Sequence, residues 1–165
     1  MRTNKMALCG LFTALLCICA WLAIPLGDVA VTMQTFGIFL CLMLLGGKYG
    51  SLSIFLYLLM GAVGLPVFAR FQGGLGILLG PTGGYIWGFG VAALLYWCIS
   101  KAVGKIPALI LGLVLCYTLG SLWYLLYAGG GLWAVLLRCV VPFVVPDAVK
   151  LILAFTLYRQ LKKHL

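Results

Sequence analysis

The chain has 165 residues, of which 65% are hydrophobic and 8% charged, and its mean hydropathy is +1.24. A soluble domain is typically about 45–50% apolar and about 25% charged, so this composition predicts an integral membrane protein. At about 20 residues per crossing, the length allows roughly six spans and no separate soluble domain. The net charge of +9 does not indicate a nucleic-acid partner, because the cations flank hydrophobic segments instead of interleaving with aromatic residues.

Apolar runs divided by glycine, proline and charged residues define the predicted elements. The hydrophobic segments are residues 6–26, 35–45, 51–67, 84–99, 107–127 and 132–157. Between them lie the polar loop 28–34, the turn Gly46-Gly47-Lys48, the glycine-rich connection 69–82, the basic turn 100–105 and the break Gly129-Gly130-Gly131. The second segment is barely long enough to cross a membrane unless it borrows flanking residues.

The last segment is too long for one straight span and contains Pro142 and Pro146. Proline removes a helix hydrogen bond, so it ends or kinks a helix. We therefore predict a short piece, a break near the prolines and a final helix. The basic tail 159–164, which contains the only histidine, His164, follows that helix.

The positive charges divide unevenly when the loops are assigned alternately to the two sides of the membrane. One side receives Arg2, Lys5, Lys48, Lys101, Lys105, Arg159, Lys162 and Lys163, and the other receives only Arg70. Because cytoplasmic loops carry the excess of Lys and Arg, this asymmetry predicts that both termini are cytoplasmic and that the number of spans is even.

Asp147 and Lys150 are the most informative residues of the chain. They are three positions apart in a stretch, 140–157, that otherwise holds only apolar residues, proline and threonine. On a helix this spacing places both side chains on one face. Because an ionisable side chain at membrane depth is costly, it usually pairs or lines a polar cavity. The pair could therefore bind a polar ligand in the outer half of the bilayer, or it could be a salt bridge that only fixes the helix register.

The chain offers little for catalysis, metal binding or nucleotide binding. Its seven cysteines form no CxxC pair and are predicted to be packing residues. Glutamate is absent, and the single histidine leaves no partner for a metal site or a Ser–His pair. The glycine-rich stretches match neither GxGxxG nor a P-loop; they predict a tight, re-entrant loop or a simple helix break. We expect no enzyme activity, cofactor or metal.

Small residues recur on the first predicted helix. Gly10 and Ala14 form a small-xxx-small pair, with Ala7 one turn before them. Such residues let two membrane helices approach closely. The pattern fits ordinary packing inside the bundle, or a groove for the helix of a partner protein.

Several blocks of the sequence resemble the BioY family, the biotin-binding S components of energy-coupling factor (ECF) transporters. The blocks are Ile24-Pro25-Leu26 with 31–36, then 61–68, then Gly73-Gly74-Leu75-Gly76 with 80–85, and finally 146–150. Their order and spacing resemble the family from about residue 5 to residue 160. The run Arg70-Phe71-Gln72 is bulkier than the small residues expected there.

The resemblance implies a single transmembrane substrate-binding domain over residues 1–165. It would be an all-α, compact bundle of six transmembrane helices, with a glycine-rich extracellular loop between helices 3 and 4. The function implied is biotin uptake across a bacterial or archaeal cytoplasmic membrane. The partners implied are a transmembrane T component, which typically contacts the small residues of the first helix (here Ala7, Gly10 and Ala14), and two cytoplasmic ABC-type ATPases.

The chemistry of biotin suits the polar residues in these blocks. Asp147 can accept hydrogen bonds from the ureido N–H groups, and Lys150 can donate to a carbonyl or pair with a carboxylate. Neutral polar groups and an aromatic ring could orient the ligand, and backbone amides could close the site. These candidate binding residues are Thr32, Gln34, Thr35, Tyr85, Gly83 and Gly84. Arg70 could reach the carboxylate of biotin or face water.

Two other functions stay open from the residues alone. One is an S component for another vitamin, such as riboflavin or thiamine, on a similar bundle. The other is a non-transport membrane scaffold, in which the small-residue helix and the intramembrane pair only hold subunits together. A membrane enzyme is the weakest alternative.

Overall fold

The computed structural model describes residues 2–26 and 29–163, and these residues are mostly helical. The helices are α1 (Arg2–Trp21), α2 (Gln34–Ala62), α3 (Leu75–Leu78), α4 (Gly83–Val103), α5 (Lys105–Ala128), α6 (Leu132–Cys139) and α7 (Val141–Leu161). Two strands, β1 (Ala23–Leu26) and β2 (Val29–Thr32), join α1 to α2. Asp28, the first residue of the predicted polar loop, and His164, in the predicted basic tail, lie outside the described residues.

Several of these helices have the length and composition of membrane spans. Within residues 2–26 and 29–163, the candidates are Gln34–Ala62, Gly83–Val103, Lys105–Ala128 and Leu132–Leu161; Lys5–Trp21 is apolar but shorter. This agrees with the predicted class, a multi-pass membrane protein.

Helix α2 folds back on itself at Gly46. The backbone there has φ 74° and ψ 176°, which is not helical. Gln34 Nε2 donates a hydrogen bond to Tyr57 Oη at 2.7 Å, although residues 23 positions apart in a straight helix would be about 35 Å apart. Nearer the turn, the Cys41 thiol donates to the Gly50 carbonyl oxygen at 3.8 Å. The predicted segments 35–45 and 51–67 are therefore two antiparallel arms, 34–45 and 47–62.

The turn at Gly46 gives a stability prediction. A Cβ added at Gly46 would meet no atom within 4 Å, so Gly46→Ala tests only the left-handed φ. We expect the substitution to cost about 1–3 kcal/mol, because this backbone region is essentially restricted to glycine, and to lower the midpoint of thermal unfolding in detergent. Gly76→Ala is the matched control, because its Cβ would also meet nothing and its φ is not left-handed. Equal midpoints for the two variants would show that the hairpin does not depend on glycine at position 46.

A short two-stranded antiparallel sheet interrupts the mostly helical fold and was not part of the prediction. The register runs from Ala23 opposite Thr32 to Leu26 opposite Val29. The first predicted segment, 6–26, is thus a helix only to Trp21, and the predicted polar loop 28–34 contains strand β2 and the start of α2. Pro25 cannot continue a helix, and β-branched residues favour extended backbone.

The last hydrophobic segment divides as the prolines indicate. Helix α6 ends at Cys139, Val140 has the non-helical angles φ −124° and ψ −57°, and α7 begins at Val141. Pro142 lies in the first turn of α7, where its missing N–H needs no partner, and Pro146 lies inside the helix. The break therefore precedes both prolines.

Basic side chains gather at the end of the bundle where α2 turns. The Lys5 ammonium lies 5.3 Å from the centroid of the Tyr49 ring. Lys105 Nζ donates to the Met43 carbonyl oxygen and to Tyr158 Oη, both at 2.8 Å. The N-terminal part of α1, the turn of α2, the start of α5 and the end of α7 thus meet at one end, which agrees with the charge segregation in the sequence.

Candidate functional site

A cavity opens among the ends of the helices opposite to the basic end. It takes its wall from the strand β2, the loop before α3, the first turns of α2 and α4, the middle of α5 and the N-terminal half of α7. Its volume is about 120 Å³. Its apolar wall includes Phe68, Ile77, Ile86, Phe89, Leu113 and Phe143. An apolar cavity with a few convergent polar groups is the usual form of a small-molecule site.

The polar wall centres on the ion pair between Asp147 and Lys150. Helix α7 places the two residues one turn apart, and Lys150 Nζ lies 2.7 Å from Asp147 Oδ1. Asp147 is 2% exposed and Lys150 is 6% exposed. Burying two charges is costly unless each is paired and hydrogen-bonded, so the surroundings of this pair decide what it can do.

Two hydroxyl groups from other helices complete the shell of Asp147. Thr35 Oγ1, at the start of α2, donates to Asp147 Oδ1 at 2.7 Å. Tyr117 Oη, in α5, donates to Asp147 Oδ2 at 2.6 Å. With Lys150 this makes three donors on one carboxylate, which has about four lone-pair sites. The three donors thus orient the Asp147 carboxylate, which retains room for one further donor.

Lys150 has more unused hydrogen-bonding positions for a ligand than Asp147 has. An ammonium group carries three N–H donors. Among the residues that the structure describes, Lys150 Nζ donates only to Asp147. Because Lys150 lines the cavity, its other donors are available to an acceptor that enters there.

Thr32 and Gln34 lie on the cavity wall but already bond within the protein. Thr32 Oγ1 donates to Gln34 Oε1 at 2.9 Å, and Gln34 Nε2 donates to Tyr57 Oη. This chain of hydrogen bonds joins the strand β2 to both arms of α2. It fixes the wall beside Thr35 and therefore supports the shell of Asp147.

Tyr85 and Arg70 also line the cavity, whereas Gly83 and Gly84 do not. Tyr85 Oη donates to the Cys139 carbonyl oxygen at 2.9 Å and so ties α4 to the end of α6. A Cβ at Gly83 would collide with the Leu78 carbonyl, and one at Gly84 would collide with Trp123. These glycines let α4 approach α3 and α5 closely, so the structure does not bring them to the site as the sequence suggested.

The sequence reasoning missed Tyr117, which donates to Asp147 across helices. It also missed the aromatic wall residues Phe89 and Phe143. A signal for Tyr117 was present, since its hydroxyl lies in the middle of an apolar helix, and buried tyrosine hydroxyls usually find a partner. Phe68 also lines the cavity.

The small residues of α1 lie on its outer face. Ala7, Gly10 and Ala14 are exposed, and a Cβ added at Gly10 would meet nothing within 4 Å. Large apolar side chains flank them, with Met6 67% exposed and Leu11 64% exposed. The described part of the chain therefore leaves this stripe of small residues without a packing partner of its own.

No group of three or more His, Cys, Asp or Glu side chains that could hold a metal ion occurs within residues 2–26 and 29–163.

Comparisons with known proteins identify one family. The sequence model of the BioY family matches residues 1–165. The chain is 40% identical over 158 residues to "Biotin transporter BioY" of Thermotoga maritima, covering 93% of each chain. It is 37% identical over 164 residues to "Probable biotin transporter BioY" of Pyrococcus horikoshii, covering 98% of each.

A solved structure is also similar. It is a crystal structure at 2.1 Å described as the S-component for biotin from an ECF-type ABC transporter. The TM-score is 0.89 at 28% identity, and the match covers 98% of this chain and 92% of that one.

Proposed function

The chain belongs to the BioY family, and we propose that it binds biotin and mediates its uptake across the cytoplasmic membrane as the S component of an ECF-type transporter. The observation that carries this proposal is the buried pair Asp147–Lys150 on the wall of an apolar cavity. The family is one of transporters, which is not a class of enzymes.

Biotin has a polar ureido ring, an apolar sulfur ring and a flexible tail that ends in a carboxylate. In the proposed pose, Lys150 donates to the ureido carbonyl, because its ammonium has donors available on the cavity side. Asp147 accepts a ureido N–H at its remaining lone pair, and Thr35 and Tyr117 hold it in place. The sulfur ring packs against the aromatic wall. Thr32, Gln34 and Tyr85 shape the cavity around the ligand.

The membrane topology proposed here has six crossings. The two arms of α2 are separate crossings, and they add to α1, α4, α5 and the pair α6–α7. The basic end of the bundle then faces the cytoplasm together with both termini. The cavity and the glycine-rich connection 69–82, which lies between the third and fourth crossings, face the exterior.

A transmembrane T component and two cytoplasmic ABC-type ATPases are the proposed partners. The stripe Ala7, Gly10 and Ala14 supports this, because it is exposed and small residues permit close helix packing in membranes. Since these residues lie on the outer face of α1, they can contact another protein without disturbing the cavity.

Substitution at this stripe separates binding from transport. Gly10→Leu should reduce copurification with the T component and biotin uptake by about fivefold to about a hundredfold, as expected for about 1–3 kcal/mol of overpacking at a close contact. Biotin affinity of the isolated chain should stay within about twofold, because the site is not touched. Ala128→Leu, on an exposed part of α5, is the control. Normal uptake in Gly10→Leu would remove this face from the interface.

The proposed function has a direct test. The chain is purified in detergent, any retained small molecule is identified by mass spectrometry, and biotin, riboflavin and thiamine are titrated by calorimetry. We expect biotin to bind, and riboflavin and thiamine not to bind. Binding of another vitamin would reassign the substrate, and absence of binding for the whole panel would favour a scaffold role.

A further inference from the structure

The loop that covers the cavity contains an unusual turn at Arg70 and Phe71. Both residues have left-handed backbone, with φ 59° and φ 57°. Gln72 N–H donates to the Ala69 carbonyl oxygen at 3.4 Å, and Phe68 N–H donates to the Gln72 carbonyl oxygen at 2.9 Å. Two consecutive positive φ values define a type I′ turn, whose central positions are usually Gly, Asn or Asp. Arg and Phe persist in such a conformation only where the surroundings fix it.

Those surroundings are provided by the end of α1. The Phe71 ring stacks on the Trp21 ring, with 4.9 Å between their centroids. Trp21 Nε1 also donates to the Pro66 carbonyl oxygen at 2.9 Å. Trp21 thus holds the loop at two points, one before the turn and one within it. With Phe71 turned onto α1, the tip of the turn presents Arg70 to the cavity wall.

Arg70 changes the charge of the cavity. The described residues of its wall carry two cations, Lys150 and Arg70, and one anion, Asp147. The only ion pair within residues 2–26 and 29–163 joins Asp147 to Lys150, so Arg70 contributes a guanidinium that no described carboxylate neutralises. A ligand with one negative charge complements this wall. Its negative group would pair with Arg70 at the outer loop, away from the buried pair Asp147–Lys150.

We infer that Arg70 binds the carboxylate of the ligand and makes the site selective for free biotin over its neutral esters and amides. This inference rests on the proposed function, since it assigns the ureido ring to the buried pair and the tail to the loop. A guanidinium can hold a carboxylate by two parallel charge-assisted hydrogen bonds. An ester or amide has no charge to pair, and it leaves the guanidinium unneutralised.

The test compares biotin with biotin methyl ester on the purified full chain. The variants are Arg70→Gln, which keeps the backbone conformation and removes the charge, and Arg70→Gly, which also suits the left-handed turn. In the unmodified protein we expect biotin to bind at least about tenfold more tightly than the ester, the size typical of a charged hydrogen bond. Both variants should bind the two ligands with similar affinity, while affinity for the ester stays within about twofold of the unmodified protein.

Arg159→Gln is the matched control, because it also removes one positive charge but lies in the last turn of α7. It should retain the preference for biotin. The inference would be overturned if Arg70→Gln and Arg70→Gly still preferred biotin to its methyl ester. It would also be overturned if both variants lost affinity for the two ligands equally, because Arg70 would then support the site without binding the carboxylate. Failure of the unmodified protein to bind either ligand would instead contradict the proposed function.

Discussion

Asp147→Asn is expected to weaken biotin binding by about tenfold to about a hundredfold. The change replaces a charge-assisted acceptor with a neutral amide, and a hydrogen bond to a charged group contributes about 1.5–3 kcal/mol. The effect extends beyond the ligand contact, because Lys150 loses its counter-charge at a site where both residues are nearly buried. Calorimetric titration of the purified variant measures the loss.

Two further variants help to interpret the loss of biotin affinity in Asp147→Asn. Tyr117→Phe removes one donor to Asp147 but keeps the carboxylate, Thr35 and Lys150 in place, so its effect on affinity should be smaller. Thr156→Val is the control on the same helix, because the Thr156 hydroxyl donates only to the Ile152 carbonyl oxygen, and this variant should bind biotin as the unmodified protein does. Unchanged affinity in folded Asp147→Asn protein would remove Asp147 from the binding site.

Features that depend on local chemistry were predictable from the sequence. The fold-back at Gly46 and the break before α7 are places where glycine or proline interrupts an apolar run. The pair Asp147–Lys150 was found because charges are rare in this chain and because helical spacing alone puts the two on one face. These inferences need no knowledge of neighbouring elements.

The β-hairpin was missed because a continuous apolar run shows no alternation of polar and apolar residues, which is the usual signal of a strand. Ile24, Val29 and Val31 continue the hydrophobic character of α1, so composition alone does not separate strand from helix. A signal was nevertheless present, since the dipeptide Gly27-Asp28 before the largely β-branched stretch Val29–Thr32 is typical of a two-residue hairpin loop. In a membrane protein, this turn chemistry deserves more weight than hydropathy.

The parts of the site that depend on tertiary neighbours could not be predicted. From the sequence, Gly83 and Gly84 could allow either a ligand or another helix to approach closely. The positions of Leu78 and Trp123 in the structure show that neighbouring helices approach there. Tyr117 is 30 positions from Asp147, on a helix that is apolar all round, so no sequence period shows which face it occupies.

Lys150→Met is expected to destabilise the protein by about 3–5 kcal/mol, because it leaves the Asp147 carboxylate buried without a counter-charge. Denaturation in mixed micelles measures this cost. The double variant Asp147→Asn/Lys150→Met should regain most of the stability, since a neutral side chain of similar volume replaces each charge and the amide can still bond with Thr35 and Tyr117.

The stability and the biotin affinity of the double variant together distinguish two roles of the pair, ligand binding and fixing the register of α7. If the pair holds the ureido ring, the double variant folds but does not bind biotin, since it has neither the ammonium donor nor the carboxylate acceptor. If the pair only fixes the register of α7, restoring the fold must restore binding as well. A stable double variant with normal biotin affinity would therefore place the ligand elsewhere in the cavity. Both quantities need to be measured on the same preparation, because loss of binding in Lys150→Met alone is the result that either role predicts.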